Sequence, residues 1–253
     1  MSEESVLVLS GLDPSGSAGI GADIETINQF GVTPLPIITT LTVQNTDSVI
    51  ELQEVDSKLI AKQFKHLQTD IDIKIVKIGL LSSSEQIRTI CSLLKSCNNV
   101  IVILDPIIKA STSDELLKTQ AIASLKKELL PLTNVITPNI SELQALAPDM
   151  DEQQMVSSLP CEWVLLTTTD SSADKIEHRL YHQQQKIKSF YYHKLPGQYH
   201  GSGCTLTSAI SSLIASGVDV DIACERALDY TYQTLLNAKS IGKMQYHPNR
   251  QKP

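Results

Sequence analysis

The chain has 253 residues, enough to bury most of its apolar surface in one continuous core. Its net charge of −7 argues against a nucleic-acid or anionic-membrane surface as the main partner, because such binding needs an excess of Lys and Arg on one face. The 5 cysteines are odd in number and contain no Cys-x-x-Cys pair, and the 6 histidines lack ligand spacing, so reduced thiols are expected and a zinc site is not.

Met1-Ser2-Glu3-Glu4 passes directly into an apolar run, and no later run approaches the ~20 apolar residues of a spanning helix. A cytoplasmic protein without a membrane segment is expected. In chain order, β-type runs stand at Val6–Ser10, Leu35–Thr40, Ile75–Ile78, Val100–Leu104, Asn134–Ile136 and Val164–Thr168. One-sided helical patterns lie between them, at Ile24–Phe30, Leu59–Leu67, Glu85–Leu94, Glu115–Leu130 and Glu142–Ala147. This alternation predicts an α/β fold with a mainly parallel central sheet covered on both faces.

After Thr168 the pattern changes. Arg179–His182 and Ile187–Tyr192 read as an antiparallel edge hairpin around a Gln-rich turn, followed by helices at Thr205–Ser216 and Ile222–Ala238. No repeat or linker divides residues 1–253, so a single domain is expected. The polar tail from Ile241 to Pro253 is expected to be loosely held.

Three segments carry chemistry. His200-Gly201-Ser202-Gly203-Cys204 precedes a small-residue helix, whose unpaired first-turn N–H groups form a receptor for anionic oxygens. By itself this also fits a tight loop capped by Ser202. Ser10 to Gly19 is a glycine- and serine-dense loop at the carboxyl end of a strand, where α/β sheets bind ligands, but it matches neither Gly-x-Gly-x-x-Gly nor a P-loop. Asp105-Pro106 and Thr137-Pro138-Asn139-Ile140-Ser141-Glu142 place hard oxygen ligands at other strand ends. Asn139 and Glu142 alone equally fit a helix capping box.

Ser10–Gly19 through Asp23, Thr40 to Thr46, Lys77-Ile78-Gly79-Leu80, Asp105-Pro106, Thr137 to Glu142 and His200 to Cys204 together resemble the hydroxymethylpyrimidine phosphate kinase family, over about Val6 to Ser216. The resemblance implies a ribokinase-like three-layer α/β/α sandwich with an antiparallel edge hairpin. It also implies ATP and Mg²⁺ as cofactors, a small-molecule pyrimidine substrate and a homodimer, with no nucleic-acid partner. It places Gly11, Asp23, Gln44 and Leu80 at the substrate, with Asp23 accepting a hydrogen bond from the hydroxymethyl group. It gives Gly201, Ser202, Gly203 and Cys204 to the anion hole. Asp105, Asn139 and Glu142 fall to the nucleotide phosphates, and Glu142, with Asp105 through water, to the metal.

Cys204 stands where sugar kinases of the superfamily carry an Asp base. A thiolate of lowered pKa and a small buried packing residue are both open readings. Two departures from the family are Thr167-Thr168-Thr169-Asp170 in place of Lys-Gly-Gly-His, and Gly197-Gln198-Tyr199 just before His200. The implied activity is phosphorylation of 4-amino-5-hydroxymethyl-2-methylpyrimidine and of its monophosphate. The alternatives are a pyridoxal kinase of the same fold and a pyrimidine sensor without turnover.

Overall fold

The structure, a computed structural model, describes residues 4–108, 117, 119–171 and 174–251, with only the backbone of 169–171. Its strands are β1 (Ser5–Leu12), β2 (Thr33–Gln44), β3 (Val49–Glu54), β4 (Ile75–Ile78), β5 (Ile101–Leu104), β6 (Val135–Ile136), β7 (Trp163–Ser171), β8 (Lys175–His182) and β9 (Gln185–His193). They form one 9-stranded sheet in the order β3-β2-β1-β4-β5-β6-β7-β8-β9. β2, β1, β4, β5, β6 and β7 run parallel, while β3 at one edge and β8 and β9 at the other are antiparallel.

The period-2 alternation of strand side chains divides the interior into two cores. Leu7, Leu9, Val76, Ile78, Val102 and Leu104 face one layer of helices. That layer holds α2 (Ser57–Gln68), α3 (Ser84–Leu94), α4 (Thr119–Ser124), α5 (Ile140–Leu146) and α6 (Glu152–Ser157). Val6, Val8, Ile75, Ile103 and Leu165 face the other layer, made by α1 (Gly19–Gln29), α7 (Ser202–Ala215) and α8 (Val220–Leu236). The expected three-layer sandwich is therefore present. Among the described residues, no helix is long and apolar enough to cross a membrane.

Four features depart from the sequence reading. β2 runs on to Gln44 and turns into β3, pairing Thr40 with Glu54 and Gln44 with Val49. The hairpin stands partly in solvent, where Val43 and Ile50 are exposed, so β3 lacks the clear inward face that marks a strand in sequence. Helix α6 also escaped notice, although Asp151 and Gln154 form a capping box at its start. The pattern at Glu115–Leu130 becomes α4, a π-helical turn over Leu125–Leu129 and a 3₁₀ turn over Leu130–Leu132 with Pro131 inside it; Glu115, Leu116 and Lys118 lie outside the described residues.

The fourth departure is the tail, whose described residues, up to Gln251, are docked rather than loose. Tyr246 N–H donates to the Gln198 carbonyl at 2.8 Å, His200 N–H donates to the Tyr246 carbonyl at 3.1 Å, and Asn249 N–H donates to the Thr234 carbonyl at 2.9 Å. Arg250 is almost fully buried. Its Nε donates to Thr205 Oγ1 at 2.9 Å, one terminal nitrogen reaches the Ser17 carbonyl, and the other lies 3.2 Å from Glu25. One side chain thus ties the loop after β1 to the start of α7.

Replacing Arg250 by Met would leave the Ser17 carbonyl and Thr205 hydroxyl buried without their donor, a loss of about 1–3 kcal/mol. We expect the urea midpoint of the Arg250→Met protein to fall accordingly. An unchanged midpoint would mean that the tail contributes no stability.

Candidate functional site

The carboxyl ends of the central strands open into a cavity of about 620 Å³, within the range of small-molecule sites. One end is lined by Gly11, Thr42, Gln44, Val49, Leu80 and His200, and the floor by Asp105, Asn139, Glu142 and the segment Gly201 to Cys204. The far end is lined by Ile176, His178, Tyr192, Leu228 and Tyr232. All but one of the residues singled out from the sequence line this space.

The exception is Asp23. It is fully buried on α1, beneath the cavity rather than in its lining. Its Oδ1 lies 2.9 Å from Lys77 Nζ and accepts a 2.7 Å hydrogen bond from Ser208 Oγ. The expected contact with the substrate hydroxyl is therefore corrected: Oδ1 is engaged by a buried lysine and a serine hydroxyl, and Oδ2 is buried without a hydrogen-bond partner among the described residues. Burial works against the charge on Lys77, but attraction to Asp23, with Cys204 and Asp105, keeps its ammonium above the ordinary lysine value. The sequence contained a signal for this pair, because a Lys inside the apolar strand Ile75-Val76-Lys77-Ile78 needs a buried partner.

α7 begins at Ser202, and Gly201 caps it with φ 87°. A Cβ at Gly201 would lie 1.9 Å from the Ser17 carbonyl oxygen, so neither the backbone angle nor the space admits a side chain. Gly203 faces the cavity differently, since a Cβ there would come within 3.3 Å of the Asp105 carboxylate. The first-turn N–H groups of Ser202, Gly203 and Cys204 have no partner within the helix. They lie at the dipole's positive end, where anionic oxygens are favoured.

Burial pushes the Cys204 thiol up to about 12, with Lys77 lowering it and Asp23 and Asp105 raising it further. Of the two open readings, the neutral buried thiol is the one these surroundings favour. The group is a neutral thiol hydrogen-bonded to Asp105. Burial also raises Asp105 to about 6, with Lys77 acting to lower it and Asp23 to raise it. Glu142 rises to about 8 through burial and the neighbouring Asp105, opposed by backbone N–H groups of Asn139 and Ile108.

The two readings of Asn139 and Glu142 coexist. Asn139 Oδ1 accepts from the Glu142 N–H at 2.9 Å and Glu142 Oε2 accepts from the Asn139 N–H at 2.9 Å, a complete capping box on α5. Both residues still line the cavity. Among the described residues no group of three or more His, Cys, Asp or Glu side chains is gathered as for a metal held by protein alone. Two acidic groups, Asp105 and Glu142, fit an ion such as Mg²⁺ that keeps water and phosphate oxygens as its remaining ligands.

At the far end, Thr168 takes φ 52°, an unfavourable angle for a β-branched residue. Its N–H donates to His178 Nδ1 at 3.0 Å. Burial lowers His178 to about 4 despite the nearby Glu177, so the ring is neutral and its proton sits on Nε2. His178 and Tyr192 have ring centroids 5.7 Å apart, and Tyr192 and Tyr232 4.9 Å. These aromatic residues, together with Asp13 and the role of His200, were not found by sequence reasoning, which had no way to bring strand β8 and helix α8 to the same cavity.

Two outcomes test these electrostatics. Lys77→Met strands the Asp23 carboxylate and is expected to cost about 3–5 kcal/mol in urea unfolding, most of it recovered in the double variant with Asp23→Asn. Additive losses would show that the pair is not coupled. Glu142 has a folded pKa near 8, above its unfolded value of about 4.3. Between these values the folded state binds more protons than the unfolded one, so without a divalent cation this group makes stability fall as pH rises through that window. Glu142→Gln keeps an acceptor for the capping box and removes the titration. It is expected to raise the melting temperature at pH 8 but not at pH 5, and an equal change at both values would contradict the assignment.

Comparison with known proteins adds sequence likeness to this geometry. The profile of the family described as phosphomethylpyrimidine kinase matches residues 13–249. A hydroxymethylpyrimidine/phosphomethylpyrimidine kinase of Aquifex aeolicus is 31% identical over 249 residues, covering 94% of this chain and 96% of the relative. The enzyme of the same name from Rhizobium meliloti is 32% identical over 249 residues, covering 93% of this chain and 91% of its own. Among solved structures, a phosphomethylpyrimidine kinase from Clostridium difficile 630 superposes with a TM-score of 0.77 at 30% identity, over 92% of this chain and 100% of that one. The pyridoxal kinase of Staphylococcus aureus in complex with AMP-PCP superposes with a TM-score of 0.87 at 21% identity, over 99% of this chain and 94% of that one. The fold is the ribokinase-like one in both cases, so backbone likeness does not separate the two substrates; sequence likeness does, and it favours the pyrimidine kinases.

Proposed function

The chain belongs to the phosphomethylpyrimidine kinase family, and on that premise we propose that it uses ATP and Mg²⁺ to phosphorylate 4-amino-5-hydroxymethyl-2-methylpyrimidine and then its monophosphate. The observation that carries this reading is one cavity in which Gln44 lies at one end, the start of α7 and two carboxyl groups form the floor, and flat aromatic side chains line the other end. Gln44 offers a donor and an acceptor side by side to the aminopyrimidine edge. Gly11 and Leu80 flank the ring, and the hydroxymethyl group points toward Cys204.

The nucleobase rests against His178, Tyr192 and Tyr232, where neutral His178 adds an N–H donor. The transferring phosphoryl group is received by the N–H groups of Ser202, Gly203 and Cys204, which are fixed in direction before it arrives. Mg²⁺, when bound, would supply charge neutralisation at the phosphate oxygens, and Asp105 and Glu142 are the residues that would hold it. Phosphoryl transfer asks little of a base. The hydroxyl proton passes to the Asp105–Cys204 pair, in which the carboxylate accepts and the thiol is the donor that orients it. Thr167 and Thr168 line the cavity where the family carries a lysine and a glycine, so positive charge at the phosphates falls to the start of α7 and would be supplemented by the metal. The protein works in the cytoplasm as a homodimer, with the exposed Leu41, Val43 and Ile50 of the β2–β3 hairpin as the apolar surface available for pairing.

Purified protein incubated with Mg-ATP and, separately, the hydroxymethylpyrimidine, its monophosphate and pyridoxal is expected to release ADP with the first two and far less with the third. Preference for pyridoxal would overturn the reading. Within the same assay Cys204→Ser is expected to keep kcat within about tenfold, because a neutral thiol is replaced by a hydroxyl that can still donate to Asp105. A drop of roughly 10²-fold or more would restore the thiolate base. Gly201→Val is expected to abolish transfer.

A further inference from the structure

The inference below rests on the reading of Gln44 as the residue that recognises the aminopyrimidine. A carboxamide has two ends of similar shape and opposite polarity, an oxygen that accepts and an NH₂ that donates. Recognition of a ring edge by Gln44 therefore requires that something fix which end points where.

The Gln44 side-chain nitrogen, Nε2, lies 3.0 Å from Nε2 of His200. The same ring nitrogen lies 3.0 Å from Oδ2 of Asp13. Asp13 is itself immobilised: Oδ1 accepts from the Ser15 N–H at 2.8 Å, and Oδ2 accepts from the Ser15 hydroxyl at 2.8 Å and the Ala18 N–H at 2.9 Å. Burial opposes its charge, yet the hydrogen bonds from His200 and Ser15 hold the carboxyl below the usual carboxylate range. A carboxylate facing a bare ring nitrogen at that distance would set lone pair against lone pair. Nε2 of His200 therefore carries a proton and donates it to Asp13. An NH₂ at that point would set donor against donor, so the two ends of the Gln44 amide, which differ only in polarity, are exchanged and its oxygen faces the His200 N–H.

We propose that Asp13 and His200 form a relay that sets the polarity of the Gln44 amide and so determines selectivity for a ring carrying an exocyclic amine beside a ring nitrogen. The NH₂ of Gln44 is presented to the ring nitrogen, and the second lone pair of its oxygen accepts from the amine. Asp13 and His200 are positioning residues, acting on the substrate through Gln44. His200 immediately precedes Gly201, so the loop that receives the phosphoryl group also orients the reader of the ring.

A double-mutant cycle with the full chain tests this. His200→Phe keeps a flat ring and removes the donor. It is expected to lower kcat/KM for the hydroxymethylpyrimidine by about tenfold or more, mainly through KM, with the KM for ATP unchanged. On a Gln44→Ala background the same substitution is expected to change kcat/KM by less than about twofold. An analogue lacking the exocyclic amine gives a second readout, since the parent's preference for the amino compound is expected to collapse in His200→Phe. His200→Asn, too short to reach the Gln44 amide, replaces the phenylalanine variant if the latter unfolds. A full loss on the Gln44→Ala background, or an undiminished preference for the amino compound, would overturn the relay alone. A parent protein that phosphorylates no hydroxymethylpyrimidine would overturn the kinase reading and the relay with it.

Discussion

The buried ion pair between Lys77 and Asp23 is the interaction on which the site depends. It joins strand β4 to helix α1, and through Ser208 it reaches helix α7, so three elements around the cavity floor are referred to one point. It also fixes the charge balance. Lys77 pairs with Asp23 and only partly offsets the burial of Asp105, while none of the described groups that shift Glu142 is a cation. Burial raises both, aided by Asp23 at Asp105 and by Asp105 at Glu142, which is the state expected of a floor that becomes fully charged only when a cation and phosphates arrive.

The fold supplies the geometry that this chemistry needs. A parallel sheet gathers the ends of β1, β4, β5 and β6 at one edge, so residues far apart in sequence face a common space. The left-handed turn at Gly201 brings the start of α7 against the loop after β1, and Arg250 ties the two together from behind. The antiparallel extension of β2 into β3 carries Gln44 over the opening. Precision at the floor therefore comes from the rigid core, while recognition is delivered by a hairpin and two loops.

Much of this was legible in the sequence, for identifiable reasons. The central strands are short apolar runs flanked by one-sided helices, and both periodicities survive without tertiary help. The glycines of the α7 loop and the acids at strand ends announce themselves by position. Asp23 was misplaced because a helix acid looks the same in sequence whether it meets solvent, substrate or a lysine on another strand. Lys77 carried the missing information, as a charge inside an apolar strand. The docked tail and strand β3 were illegible because their stability comes from particular partners, Thr205 and Ser17 in one case and the overhang of β2 in the other, rather than from any local pattern. Thr168 shows the limit from the other side: its positive φ is held by His178 and contradicts what a threonine run suggests.

The central claim is that one cavity aligns an aminopyrimidine, held by Gln44, with a phosphoryl group received at the start of α7. A crystal structure with 4-amino-5-hydroxymethyl-2-methylpyrimidine and a non-hydrolysable ATP analogue with Mg²⁺ tests it most directly. The account predicts the γ-phosphate oxygens at the N–H groups of Ser202, Gly203 and Cys204, and the hydroxymethyl oxygen in line and about 3–3.5 Å from the γ-phosphorus. A γ-phosphate bound elsewhere, or a pyrimidine turned with its hydroxymethyl group away from Cys204, would contradict it.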